Sequence, residues 1–142
     1  MPIYKKAYSV DTVNFSTKTV WEKNIHEGNN FNYFRNKMGY QYILEATDLL
    51  TIEDCVYDFV LGSHCLEHIA NPIKAIFEWK RVLKPGGVIV LILPEKSFTF
   101  DHRRQITSFD HLLEDFNTKV DESDLTHLDE ILDLHDRSID IE

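Results

Sequence analysis

The chain has 142 residues, 43% hydrophobic and 27% charged, which is enough for one domain with a real core and too apolar for disorder throughout. Its formal net charge of −9 disfavours non-specific nucleic-acid and membrane binding, because such a surface repels phosphate and anionic lipid. Two cysteines, Cys55 and Cys65, make no secreted disulfide framework, and the longest strongly apolar run, Val88 to Leu93, is too short to span a bilayer, so a cytoplasmic protein is expected.

The first 39 residues are polar, aromatic and poorly periodic, and are expected to be irregular. Ile3 and Tyr4 suit a short strand, Ser16 suits the cap of a helix through Trp21 and Glu22, and Gly28-Asn29-Asn30 reads as a loop. Tyr40 to Leu44 is β-prone. Tyr57 to Leu61 is a compact apolar run of the kind buried on both faces of a parallel sheet. Asn71 and Pro72 mark a helix start. Ala75, Ile76, Trp79, Val82 and Leu83 then fall on one helical face, opposite Lys74, Glu78 and Arg81. Lys84-Pro85-Gly86-Gly87 stops that helix, and Val88 to Leu93 reads as a second buried strand. Ser108 suits the cap of a helix through Phe116, and another helix is expected from Leu125 to Leu134, inside an acidic tail. Glu130, Asp133 and Asp136 there read as a solvated acidic face. Strand, helix and strand joined by short turns form a βαβ crossover, and ligands of such sheets bind beyond the carboxyl ends of the strands.

The stretch YDFVLGSHCLEHIANPIKAIFEWKRVLKPGGVIVLILP resembles the second half of a class I S-adenosylmethionine (SAM)-dependent methyltransferase domain of the type 11-like kind, and EATDL resembles its adenine-binding turn. The tail TFDHRRQITSFDHLLEDF, followed by THLDEILDLHD, is similar to a subgroup of bacterial methyltransferase-domain proteins met near surface-polysaccharide genes. The resemblance implies one methyltransferase-like domain over 1–142, with its strand-helix-strand core at 40–94 and a helical acidic tail at 95–142. It implies an α/β fold, a truncated Rossmann-like, doubly wound and mostly parallel sheet. The implied cofactor is S-adenosylmethionine and the implied acceptor a small molecule or sugar.

Carried onto this sequence, the resemblance puts Glu45 at the adenine amino group, with Ala46 and Thr47 framing the ring. Ser63 and His64 would line the sulfonium region. His64, His68 and His102 are the candidate bases, and Lys96, Asp101 and Arg103 the candidate substrate contacts. No residue is assigned to a metal, because His64 and His68 stand four apart without an HExxH pattern. None of the five glycines forms the family's GxGxG turn. The resemblance thus expects the chain to start just after that turn and to stop before the closing strands. It expects a homodimer that shields the exposed sheet edge. The rival expectation is a non-catalytic remnant of the fold that serves as a binding or assembly module.

Overall fold

A computed structural model describes residues 2–19 and 22–139, and the chain falls into two units, 1–50 and 51–142. In the first, a short helix α1 (Pro2–Lys6) precedes strands β1 (Thr12–Asn14), β2 (Gly28–Phe34) and β3 (Lys37–Ile43), which pair in the order β1-β3-β2. Ile3 and Tyr4 therefore lie in a helix and not in a strand. Proline at its first position and Lys5 and Lys6 in its last turn suit that helix. Gly28 to Asn30, expected as a loop, instead opens β2, with Gly28 at a φ of 136° that favours glycine. The helix expected from Ser16 through Trp21 reaches outside the described residues at Trp21, and residues 16–19 are not helical.

The first sheet is mixed, which corrects the expectation of a mostly parallel one for this part of the chain. β1 runs parallel to β3, with Thr12 opposite Gln41 and Asn14 opposite Ile43. β2 runs antiparallel to β3, because only Arg35 and Asn36 join them, and parallel strands need a far longer crossover. Arg35 takes the left-handed φ of 51° that such a tight turn demands. Gly39 admits the close approach of the chain before β1: a Cβ there would stand 1.7 Å from the Val10 carbonyl oxygen. The Asp11 carboxylate accepts from the Tyr40 backbone N–H at 2.7 Å beside it. Val10, Ile25, Tyr33 and Leu49 are the buried apolar residues of this unit.

The second unit keeps the expected βαβ order. β4 (Tyr57–Ser63) leads through α2 (Pro72–Val82) to β5 (Leu83–Ile92), and β4 and β5 pair in parallel. Asn71 caps α2, its side-chain oxygen accepting from the Lys74 N–H at 3.1 Å, with Pro72 at the first helical position. Ala75, Trp79 and Val82 are buried, with Ile52 and Leu83. Ile76, expected on the buried face, is 38% exposed. Trp79 packs over Gly62, where a Cβ would meet the indole and Leu91 at 3.2 Å.

Lys84 to Gly87 does stop the helix, but it belongs to β5 as a bulge. Tyr57 pairs with Leu83 while Phe59 already pairs with Val88, so the extra residues loop out, with Gly86 at a φ of 83°. Arg81 fixes the chain before β4, donating to the Ile52 carbonyl at 2.9 Å and to Asp54 at 2.6 Å while Glu78 takes two further N–H groups. These carboxylates raise an already high guanidinium pKa. Two more helices follow, α3 (Phe109–Thr118) and α4 (Leu128–Leu134). Ser108 caps α3 by accepting from the His111 N–H at 3.2 Å. Among the described residues no helix is long and apolar enough to cross a membrane.

Candidate functional site

The candidate site lies at the carboxyl ends of β4 and β5, the end of a parallel sheet where ligands bind. β4 ends at Ser63, and His64 turns the chain at a φ of 49°, a left-handed conformation that costs a non-glycine residue about 1–2 kcal/mol. The turn is held because the His64 N–H donates to the Ile92 carbonyl at 2.9 Å, pinning the two strand ends together. Such strain at a strand end is a mark of functional turns. A single 3-10 turn, Leu66–His68, follows and directs three polar side chains to one place. Glu67 Oε1 lies 3.8 Å from His64 Nδ1 and 4.0 Å from His68 Nε2, and both imidazoles are well exposed. Cys65 sits among them, but burial, with Glu67 adding to it, raises its thiol pKa, so it is a poor nucleophile at neutral pH.

Beyond β5 the chain makes another 3-10 turn, Lys96–Phe98, and a tight segment to Arg104. Lys96 Nζ donates to the His102 carbonyl. The His102 ring bonds the Thr99 carbonyl through Nδ1 at 3.0 Å, and since a carbonyl only accepts, the proton is on Nδ1. Its Nε2 faces Asp136 Oδ2 at 3.7 Å, the same oxygen that Arg103 holds at 2.7 Å. Asp101 lies 3.5 Å from Arg104, which also reaches Glu130 at 3.3 Å. The structure thus brings Lys96, His102 and Arg103 together, but ties their polar atoms to protein partners.

Asp136 is what sequence reasoning missed. It is buried, not part of a solvated face, and its backbone N–H donates to Phe100 O at 2.9 Å while His135 stacks on Phe100. The Ser138 hydroxyl and N–H, then Arg103 and His102, hold its carboxyl below the ordinary aspartate range. Glu130 is likewise engaged, by Arg104 and by His127 at 3.5 Å. Acidic residues spaced along a tail carry no signal that one of them folds back onto a loop more than thirty residues earlier.

Glu45, Ala46 and Thr47 lie in the first unit, in the turn that follows β3. The Asp48 N–H closes that turn on the Glu45 carbonyl at 3.0 Å, Thr47 is buried, and Glu45 and Ala46 are half-buried. They occupy the carboxyl end of a strand, as Ser63 and His64 do in the second unit. An open depression of about 590 Å³ lies elsewhere, over the loop from Lys119 to Thr126. There Asp121 and Asp124 are tied up by Ser123 and Thr126, and it brings none of the candidate residues together.

β4, α2 and β5 form a parallel βαβ unit with a left-handed, histidine-bearing turn at the carboxyl end of β4. The chain belongs to the methyltransferase-domain family, whose model matches residues 2–91. It is 36% identical over 77 residues to an uncharacterized protein of Methanocaldococcus jannaschii, a match that covers 51% of this chain and 38% of that protein. It is 39% identical over 54 residues to an uncharacterized 37.1 kDa protein of a Streptomyces fradiae transposon, covering 37% of this chain and 16% of that one. The matches thus span well under half the length of these relatives. No solved structure matches the chain.

Proposed function

We propose that this chain binds S-adenosylmethionine and transfers its methyl group to a small-molecule or sugar-type acceptor. The observation that carries the reading is the family match over residues 2–91, which includes both the turn after β3 and the turn after β4. The match crosses from the first unit into the second and ends at residue 91; the reading of 1–142 as one methyltransferase-like domain is part of the same proposal.

Each unit by itself offers groups that suit a part of the cofactor. The Glu45 carboxylate can accept from the adenine amino group, with Ala46 and Thr47 beside it. Ser63 and His64 present polar groups at the end of β4, and Glu67 adds negative charge where a cationic sulfonium would be favoured. The family's glycine turn has no counterpart in the sequence, so these contacts carry the binding.

The cofactor, when bound, supplies an electrophilic methyl group on sulfur. The chain then has two tasks, alignment of the acceptor and removal of its proton. A base on this chain would take up the proton that the acceptor oxygen or nitrogen gives up on methylation. His64 and His68 suit that base better than His102, because their rings are exposed whereas His102 is engaged by Thr99 and Asp136. Lys96, Asp101 and Arg103, engaged by His102, Arg104 and Asp136, would act by shaping the neighbouring segment.

Calorimetry with SAM and S-adenosylhomocysteine tests the proposal. Micromolar binding is expected, weakened roughly tenfold (about 1.4 kcal/mol) in Glu45→Ala. No binding at millimolar ligand would overturn it and favour a binding or assembly module. Equal affinity in wild type and variant would remove Glu45 from the site.

A further inference from the structure

Outside the candidate site, the structure brings together two histidines from separate elements. His111 lies in the first turn of α3. His127 is the cap residue before α4, but its side chain caps nothing and turns toward α3. Their Nε2 atoms face each other at 3.0 Å, with the rings perpendicular and their centroids 5.0 Å apart. Both rings are partly exposed, so an ion has access.

We propose that His111 and His127 form a binding site for a divalent transition metal, of which zinc is the probe of choice. Two imidazole nitrogens on one tetrahedral zinc lie ~3.3 Å apart, given zinc–nitrogen bonds of about 2.0–2.1 Å, so a small opening of the pair admits the ion. Imidazole suits zinc, copper and nickel.

The surroundings fit better still. A ligating histidine needs its proton on the other ring nitrogen, held by an acceptor. His127 Nδ1 lies 3.5 Å from Glu130 Oε2, the oxygen that Arg104 also holds, at 3.3 Å. Asp115 Oδ2 lies 3.6 Å from His111 Nε2, the very atom that would bind the ion, and brings a second negative charge to that side. Among the described residues no group of three or more His, Cys, Asp or Glu side chains is already arranged to hold a metal. The site therefore has two imidazole ligands, with water in the remaining positions, and it clamps the start of α4 to α3.

Zinc titration of the metal-stripped full chain by calorimetry tests this. One zinc per chain is expected, at least tenfold weaker in His111→Ala and in His127→Ala. His135→Ala, whose ring stacks on Phe100, is expected to bind as wild type does. Glu130→Gln is expected to weaken binding about tenfold by replacing the charged acceptor at Nδ1 with a neutral amide. Imidazole nitrogen resonances of the unmutated protein give a second readout, and zinc should shift those of His111 and His127 among the seven histidines. No saturable binding, binding that survives both alanine variants, or shifts confined to other histidines would overturn the proposal and leave a simple N–H···N bond between the rings.

Discussion

At the scale of single residues, Asp136 is where charge and fold are most tightly coupled. Its carboxylate is buried against Ser138, Arg103 and His102, and each of them favours the ionised form. A carboxyl pKa that is lower in the folded chain than the ordinary 3.8 contributes stability that is fully present above that value. The contribution is lost as pH falls through the lowered pKa, because the proton then taken up is resisted by the fold. Asp136→Asn is therefore expected to melt earlier than wild type at pH 7, with a gap that narrows as the pH falls through and below 3.8. Melting curves across that range check it, and a gap that stays constant would assign the loss to shape and not to charge. The same residue shows why the site was only partly legible in the sequence. Glu45, Ser63 and His64 stand in local motifs at strand ends, and the fold puts them at such ends, with His68 in the 3-10 turn just beyond β4. Asp136 and the His111–His127 pair depend on how loops and helices fold back, and neither follows from spacing or periodicity.

At the scale of elements, the start of α2 couples to a second helix. Asn71 is almost wholly buried, at 1% exposure. Its side-chain oxygen accepts from Lys74 at the start of α2, while its amide donates to the Asp115 carbonyl at 3.0 Å and the Val120 carbonyl at 3.4 Å, at the end of α3. Asn71→Ala removes both, and should cost about 2 kcal/mol: about 1 for the cap and about 1 for the amide's bonds to the end of α3, where the Asp115 carbonyl keeps the Val120 N–H. Asn71→Asp separates the two roles. It keeps the cap, and its charge suits a helix start, yet it sets a carboxylate against two carbonyl oxygens. Urea unfolding should place the aspartate variant below wild type, and an aspartate variant as stable as wild type would mean that the link to α3 does nothing.

The cap, the proline and the apolar period of α2 are local features, as is the cap of α3, which is why both helices are readable from the sequence alone. The β2–β3 hairpin was hidden for the opposite reason. It carries an aromatic, polar run with a two-residue Arg-Asn turn lacking the usual glycine, and its form depends on Gly39 letting the chain at Val10 approach. The β5 bulge was hidden too, since Lys-Pro-Gly-Gly is a stop signal for a helix and carries equally well as a looped-out strand segment.

At the scale of the whole molecule, the β4–β5 sheet has an unresolved need for partners. It has two strands only, and a two-stranded sheet is marginal in water by itself. The outer edges of β4 and β5 pair with no other strand among the described residues, and unpaired edges are templates for a second chain. Val88, Val90 and Ile92 share one face of β5 and are 54%, 38% and 38% exposed. Isologous packing of this face against the same face of a second copy would cover its valines and isoleucine, and we propose a homodimer on that ground. Light scattering should give about 33 kDa, twice the chain's 16.7 kDa. Each copy carries a net charge of −9, and that repulsion opposes association. Salt shortens its reach, from about 30 Å at 0.01 M to about 8 Å at 0.15 M, so the dimer fraction should rise with salt over that range. Val90→Glu puts a new charge on the exposed face and should shift the mass to that of one chain at any salt. A monomer for the wild-type chain at every concentration and salt would mean that these strands are completed without a second copy.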